Sequence, residues 1–179
     1  PTNKEEYLAM LEYSYNQNDH PVAIRVPNID LISANEKDYT DYSVLNKYKV
    51  TEKGEKIAIL GLGNFYPLAQ KLKQEIKKHF DIDSTLINPR FITGIDKELL
   101  NSLKEDHEIV ITLEDGVIDG GFGEKISRFY AVSDMKVLNY GASKEFTDRV
   151  PTEELYNSYR LTPELINEDL EKILNLICR

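Results

Sequence analysis

The chain has 179 residues, of which 31 are acidic and 22 basic, giving a net charge of −9. That length suits one domain, or one domain plus an appendage, and the negative charge argues against nucleic-acid or anionic-membrane partners, because nothing offsets repulsion from phosphates. The single cysteine, Cys178, permits no intrachain disulfide, and no apolar run approaches the roughly 18 residues of a membrane span, so we expect a soluble cytoplasmic protein.

The N-terminal part of the sequence predicts one helix and one strand. Residues 4–17 (KEEYLAMLEYSYNQ) place apolar side chains at helical spacing, namely Tyr7, Leu8, Leu11 and Tyr15. Residues 20–28 (HPVAIRVPN) are typical of a short apolar strand that ends at Pro27. Because these two elements cannot bury a core, and because the chain begins at Pro1 without a start methionine, we expect a fragment of a longer protein. The polar residues 31–48 have no firm period and are interpreted as a linker.

Residues 47–63 (KYKVTEKGEKIAILGLG) predict a β-hairpin that turns at Lys53-Gly54. A helix from about Phe65 to Phe80 should follow it. The apolar positions of this helix form one stripe, which consists of Leu68, Leu72, Ile76 and Phe80.

The rest of the chain alternates between strands and helices. The strand STLINPR precedes a helix opened by Asp96, the strand HEIVITLED precedes a helix after a run of glycines, and the strand MKVLNYG precedes a last helix capped by Thr162-Pro163. Such alternation implies a mostly parallel sheet with helices on both faces, which is the α/β class. The inward positions of these helices are expected to be Leu99, Leu100, Leu103, Leu165, Ile166, Leu170, Ile173 and Ile177.

The first glycine-rich turn, in ILGLGNFY, is a candidate nucleotide site. Gly61 and Gly63 match the start of a dinucleotide fingerprint, but Tyr66 occupies the place of the third glycine and no acid ends the next strand. The sequence therefore favours a tight strand-to-helix turn in which glycine permits a close backbone approach.

The second glycine-rich turn, EDGVIDGGFG, offers acids for Mg²⁺ or Ca²⁺ but lacks the alternating ligands of a calcium loop and the lysine of a P-loop. We expect Asp119 to cap the following helix, and Gly120, Gly121 and Gly123 to leave room where the helix lies close to a strand or another subunit. The three histidines are scattered along the chain (His20, His79 and His107). No catalytic or metal site is assembled by these residues.

Five segments carry a family resemblance: HPVAIRVP, EKIAILGLG, INPRFITGID, HEIVITLEDGVIDGGFGEKI and EELYNSYRLTPELI. In order and spacing they resemble the C-terminal third of the 1-deoxy-D-xylulose-5-phosphate synthase family, which are thiamine-diphosphate enzymes of the transketolase group. The resemblance implies a three-layer fold like the transketolase C-terminal domain, with about five strands, mostly parallel, and one antiparallel edge strand. It also implies that residues 1–30 end the pyrimidine-binding middle domain, that 31–48 are a linker and that 49–179 are the C-terminal domain.

The resemblance further implies an activity. The family condenses pyruvate with D-glyceraldehyde 3-phosphate, with release of CO₂, to make 1-deoxy-D-xylulose 5-phosphate for isoprenoid, thiamine and pyridoxal biosynthesis. Thiamine diphosphate and Mg²⁺ are bound by the family's other two domains. In this chain we accordingly expect no catalytic, cofactor-binding or metal-binding residue, no activity of the chain by itself, and a role in structure and homodimerisation.

One substrate-binding residue is implied by the resemblance. Arg25 matches the family arginine that contacts the phosphate of glyceraldehyde 3-phosphate, and a guanidinium can bind phosphate with two hydrogen bonds while it stays charged. The turn at residues 119–123 is implied to lie away from the cofactor, where it serves packing and subunit contact.

The sequence departs from the family pattern in three places. Val26 and Asn28 replace an aromatic and a basic residue after Arg25, Thr93-Gly94 replace a Lys-Pro pair, and a His-Gly pair is absent from DRVPTEEL. Two alternatives therefore stay open. The chain could come from another transketolase-like enzyme, such as a 2-oxo-acid dehydrogenase β subunit or a transketolase paralogue with a different acceptor. It could also be a free-standing, non-catalytic domain for dimerisation or small-ligand binding.

Overall fold

The structure, a computed structural model, describes residues 1–27 and 30–177; Asn28 and Cys178 lie outside this part, as does the side chain of Ile177. An N-terminal helix and an irregular segment precede an α/β domain. The elements, in chain order, are α1 (Lys4–Asn16), β1 (Lys49–Glu52), β2 (Lys56–Gly61), a 3₁₀ turn (Gly63–Phe65), α2 (Tyr66–Phe80), β3 (Thr85–Asn88), α3 (Lys97–Ser102), a second 3₁₀ turn (Leu103–Glu105), β4 (His107–Val117), α4 (Phe122–Tyr130), β5 (Lys136–Ala142), α5 (Thr152–Ser158) and α6 (Pro163–Ile177).

The sheet has five strands in the order β1-β3-β2-β4-β5. Strands β3, β2, β4 and β5 are mutually parallel, and β1 pairs with β3 in the antiparallel sense at one edge. On the central strand β2, Ile59 lies opposite Leu86 of β3 and Ile111 of β4. The predicted α/β class, with a mostly parallel sheet and one antiparallel edge strand, is confirmed.

Helices cover both faces of this sheet, and each face has its own apolar core. Alternate residues of β2 point to opposite faces, so that Ile59 packs with α2 and α6 whereas Leu60 packs with α3 and α4. The predicted inward positions Leu72, Ile76, Leu100, Ile166 and Leu170 are fully buried. None of the helices within residues 1–27 and 30–177 is both long and apolar enough to cross a membrane.

Two of the three predicted helix caps, those of α3 and α6, are confirmed. The Asp96 carboxylate accepts a hydrogen bond from the Leu99 amide at 3.2 Å, which caps α3. The Thr162 hydroxyl accepts from the Leu165 amide at 3.4 Å, directly before the proline that begins α6. Both interactions satisfy amides that have no partner within the helix.

The predicted hairpin at Lys53-Gly54 is wrong. Strands β1 and β2 are separated by β3, and the connecting residues 53–55 pass around the beginning of β3. The Thr85 hydroxyl holds this crossing, since it accepts from the Gly54 amide and donates to the Gly54 carbonyl, each at 3.0 Å. Two strand spacings amount to about 10 Å, which three residues can span. Such a short connection fits either topology, and local sequence does not distinguish them.

The strand predicted at residues 20–28 is also wrong within the part described, because residues 17–27 are irregular and pair with no strand of the sheet. A β-strand needs a neighbouring strand for its backbone hydrogen bonds. The predicted helix α1 is present, but none of the four apolar side chains identified from its spacing is buried: Leu8 is 51% and Tyr15 87% exposed, whereas the buried residues are Glu6 and Met10.

We predict that Thr85→Val lowers the free energy of unfolding by about 1–3 kcal/mol, because the half-buried Gly54 amide and carbonyl and the buried His107 Nε2 lose their hydroxyl partner while the side-chain volume is kept. Chemical denaturation followed by circular dichroism measures this effect. The exposed Thr152 supplies the control, since Thr152→Val should change stability by no more than about 0.5 kcal/mol. Equal stability of Thr85→Val and the unmodified chain would contradict this account of the crossing.

Candidate functional site

The candidate site is a crevice at the carboxyl ends of β2 and β4. These strands are neighbours, but α2 leaves β2 toward one face and α4 leaves β4 toward the other. Ligands of open α/β sheets bind at such a switch in strand order. A cavity of about 370 Å³ lies at this edge, between the sheet and residues 20–27, and its wall includes Arg25, Tyr42, Asn64, Arg90, Phe91 and Asp115.

Arg25, the predicted phosphate-binding residue, lines the cavity. Its Nη2 atom lies 3.6 Å from Oδ2 of Asp115, and the same oxygen accepts a hydrogen bond from Asn64 Nδ2 at 3.0 Å. The Arg25 side chain is 67% exposed, and such surface ion pairs contribute little energy. Its other N–H donors are therefore available to a phosphate or carboxylate ligand.

On another part of the cavity wall, Arg90 is nine-tenths buried and faces a buried acid. Its Nε atom lies 3.3 Å from Glu6 Oε1. The same oxygen accepts from Asn88 Nδ2 at 2.8 Å, and Oε2 accepts from the amide and hydroxyl of Thr2 at 2.6 and 3.0 Å. This Glu6 cluster (Thr2, Glu6, Asn88 and Arg90) was not identified from sequence. Nothing in the sequence distinguishes Glu6 from its neighbour Glu5, so no local signal could have found the cluster.

Tyr42 contributes a phenol to the same cavity. Its hydroxyl donates to Asp38 Oδ2 at 2.6 Å, and its ring centroid lies 6.2 Å from that of Phe91. Burial, followed by the hydrogen bond to Asp38, raises the pKa of Tyr42 well above its ordinary value. The phenol therefore stays protonated and serves as a hydrogen-bond donor rather than as a base.

Below the crevice, Glu114 joins β4 to α4. The carboxylate is buried and accepts from the Phe122 amide through Oε2 and from the Gly123 amide through Oε1, each at 2.8 Å. It thus places a negative charge at the positive end of the helix. The expected capping by Asp119 is wrong, because Asp119 is exposed and the N-cap residue is Gly121. The capping role of Glu114 was not predicted from the sequence.

The predicted glycines surround this carboxylate. A β-carbon added to Gly121 would lie 2.6 Å from Glu114 Oε2, and one added to Gly123 would lie 2.7 Å from the Thr112 hydroxyl. Gly120 has a φ of +76°, a conformation that favours glycine. These distances give a local packing reason for glycine at positions 121 and 123. The expected contact of the turn with another subunit stays a prediction.

The described residues do not fit a site for Mg²⁺. Among residues 1–27 and 30–177, no three His, Cys, Asp or Glu side chains come together in a group that could hold a metal ion. The buried Glu114 carboxylate already accepts hydrogen bonds from two backbone amides, and the buried Glu6 carboxylate faces Arg90. We therefore derive no step through a metal or cofactor from these residues.

We predict that Glu114→Gln lowers the free energy of unfolding by about 1.5–3 kcal/mol, because a charged hydrogen-bond acceptor is lost and the new amide group faces an amide donor. Denaturant titration measures the loss, and Asp119→Asn is the matched control, for which we expect almost no change. The reverse order of the two effects would restore Asp119 as the cap of α4.

Comparison with known proteins gives three findings. The family model described as "Transketolase, C-terminal domain" matches residues 46–166. The 1-deoxy-D-xylulose-5-phosphate synthase of Francisella tularensis subsp. novicida is 32% identical over 97% of this chain, and that of subsp. mediasiatica is 31% identical over the same share. The chain spans 28% of the length of either relative. A solved structure titled "Split gene transketolase, inactive beta4 tetramer" is similar in fold, with a TM-score of 0.64 and 22% identity over 73% of this chain and 43% of that one.

Proposed function

The chain belongs to the transketolase C-terminal domain family, and from this premise we propose that it supplies the C-terminal part of a 1-deoxy-D-xylulose-5-phosphate synthase. The observation that carries the proposal is the length of this chain over which it is similar to the synthases. The family model begins at residue 46, but similarity to the curated synthases covers almost the whole chain and thus includes residues before that point. A shared C-terminal domain alone would not require likeness in the N-terminal segment.

The complete enzyme would condense pyruvate with D-glyceraldehyde 3-phosphate and release CO₂, as a cytoplasmic homodimer. Thiamine diphosphate would act there as the electron sink, bound with Mg²⁺ by the domains that precede this segment. This chain would contribute substrate binding in the crevice and a rigid domain that supports the dimer. Support for the class of enzyme comes from the synthase relatives.

Within the chain, we propose that residues 1–30 end the middle domain, residues 31–48 link the domains and residues 49–179 form the C-terminal domain. Two observations support this division. The outward side of α1 exposes large apolar side chains, among them Leu8 and Tyr15, and apolar side chains grouped on one surface are typical of a contact with another domain or chain. In addition, the apolar residues 20–27 have no strand partner in the part of the sheet described here.

Arg25 is proposed to bind the phosphate of glyceraldehyde 3-phosphate. It lies at the mouth of the crevice, and its only described ion pair is the weak, exposed one with Asp115. A phosphate dianion competes well with a single carboxylate at 3.6 Å, because it can accept two parallel hydrogen bonds from the guanidinium.

In the complete enzyme that contains this chain, Arg25→Ala should raise KM for glyceraldehyde 3-phosphate about tenfold or more, given roughly 1.5–3 kcal/mol for a charged hydrogen bond. KM for pyruvate should stay constant in the same steady-state assay. Arg25→Lys keeps the charge but loses the paired N–H donors of the guanidinium. Its KM for glyceraldehyde 3-phosphate should lie between those of the unmodified enzyme and Arg25→Ala. An unchanged KM for the phosphorylated acceptor would remove Arg25 from the site.

By itself, the 179-residue chain should bind no thiamine diphosphate and catalyse no reaction, because its described residues offer no metal-binding group to hold the Mg²⁺ that accompanies the diphosphate. Calorimetric titration with thiamine diphosphate and Mg²⁺ should show no heat of binding at cofactor concentrations that saturate transketolases. Pyruvate and glyceraldehyde 3-phosphate should release no CO₂ above a cofactor-only control. Measurable turnover by the chain would overturn the proposed division of labour between domains.

A further inference from the structure

Helix α1 is attached to the α/β domain through a buried charge rather than through an apolar stripe. Of its residues only Glu6 and Met10 are buried. A helix of this length is only marginally stable alone in water, so its stability depends on what holds it to the domain. One methionine provides little apolar contact. The Glu6 cluster supplies the buried polar contact with β3. At the surface, Glu5 accepts hydrogen bonds from the Ser33 hydroxyl and the Ala34 amide.

Glu6 is buried against residues at the carboxyl end of β3. Its partners Asn88 and Arg90 lie at the end of β3 and just beyond it, and the Arg90 side chain is only 9% exposed. Burying a carboxylate is costly unless it is paired and hydrogen-bonded. Glu6 accepts hydrogen bonds from Asn88 Nδ2 and from the Thr2 amide and hydroxyl, and its charge faces the Arg90 guanidinium, whose buried Nε makes no hydrogen bond among the described residues. Without Glu6, the nine-tenths buried Arg90 side chain would lose this counter-charge.

Helix α1 continues directly into the segment that carries Arg25. Just after α1, the Gln17 side chain donates to the His20 carbonyl at 2.7 Å and accepts from the His20 amide at 3.2 Å, which turns the chain back toward the sheet. Residues 20–27 then run along the cavity, where Arg25 reaches Asp115. Because this segment has no strand partner among the described residues, its position in this chain depends on the attachment of α1 and on the exposed contact of Arg25 with Asp115.

We propose that the Glu6–Arg90 pair is a positioning device for Arg25: it fixes α1 on the sheet edge and so holds the Arg25 segment over the crevice. Glu6 and Arg90 act through Arg25, and neither needs to touch a substrate. The consequence for catalysis rests on the proposed function, whereas the mechanical coupling between Glu6 and residues 17–27 does not.

The coupling is tested on this chain with Glu6→Gln, which removes the charge and keeps the shape. Amide hydrogen exchange in α1 should become at least about tenfold faster, since opening of the helix is governed by its docking, while exchange in β4 stays constant. Trypsin cleavage after Arg25 should accelerate by a similar factor relative to cleavage after Lys78 on α2. The control is Glu12→Gln, an exposed acid on the same helix, which should change neither rate.

A double-mutant cycle then identifies the partner. Glu6→Gln combined with Arg90→Gln should accelerate exchange in α1 by less than the product of the two single effects, because each single variant leaves one charge buried and unpaired. Unchanged exchange in α1 of Glu6→Gln, or equal acceleration at every site of the chain, would overturn the positioning role. Full additivity of the two variants would show that Arg90 is not the partner.

The functional consequence is measured in the complete enzyme. Glu6→Gln should raise KM for glyceraldehyde 3-phosphate severalfold and leave KM for pyruvate unchanged, which a general loss of stability would not produce. If Arg25→Ala also leaves the acceptor KM unchanged, the proposed function of Arg25 fails while the exchange and proteolysis results still decide the coupling. If Arg25→Ala raises that KM and Glu6→Gln does not, the positioning role is wrong and the function of Arg25 stands.

Discussion

The contact of the Glu114 carboxylate with the first amides of α4 is the constraint on which the crevice depends. A strand that ends in a parallel sheet must deliver its chain to a helix on one face, and the amides at the helix start need acceptors. Glu114 supplies them from the strand itself, through hydrogen bonds to Phe122 and Gly123. Strand and helix thereby become one rigid corner. A side chain at position 121 would occupy the space of the carboxylate, so the buried Glu114 requires glycine at position 121.

That corner also determines what stands at the mouth of the crevice. With Glu114 turned inward, the next residue of the pleated strand, Asp115, points to the other side and meets Asn64 and Arg25. Two adjacent acids thus have separate tasks, one in the framework and one at the surface. The same separation holds for the two arginines of the cavity wall: Arg90 is buried against Glu6, while Arg25 remains mostly exposed. The crevice can therefore offer a charged group to a ligand without weakening its own walls.

The sequence predicted the α/β class because periodic apolar positions in α2 and α6 and continuous apolar runs in β2 and β4 are local signals. Prediction from the sequence was wrong or incomplete where the structure depends on a contact between residues far apart in the chain. Glu6 meets Asn88, a residue 82 positions away, and no pattern around Glu6 reveals this. The hairpin prediction was wrong for a related reason: β1 pairs with β3, which comes after β2 in the sequence. Asp119 was a reasonable cap by residue type, but Glu114 from the preceding strand already held the amides.

The placement of β1 has a consequence for the order of folding. The Thr51 hydroxyl bonds to the Leu86 carbonyl 35 residues later, and the strand of Leu86 must first lie beside β2. Strand β1 does not pair with β2, its nearest neighbour in sequence, as it would in a hairpin. It can pair only after β3 has docked beside β2. The first strand of the domain to leave a ribosome is then among the last to join the sheet. Such non-local pairing slows folding, and it leaves β1 as the strand that a destabilised chain would release first.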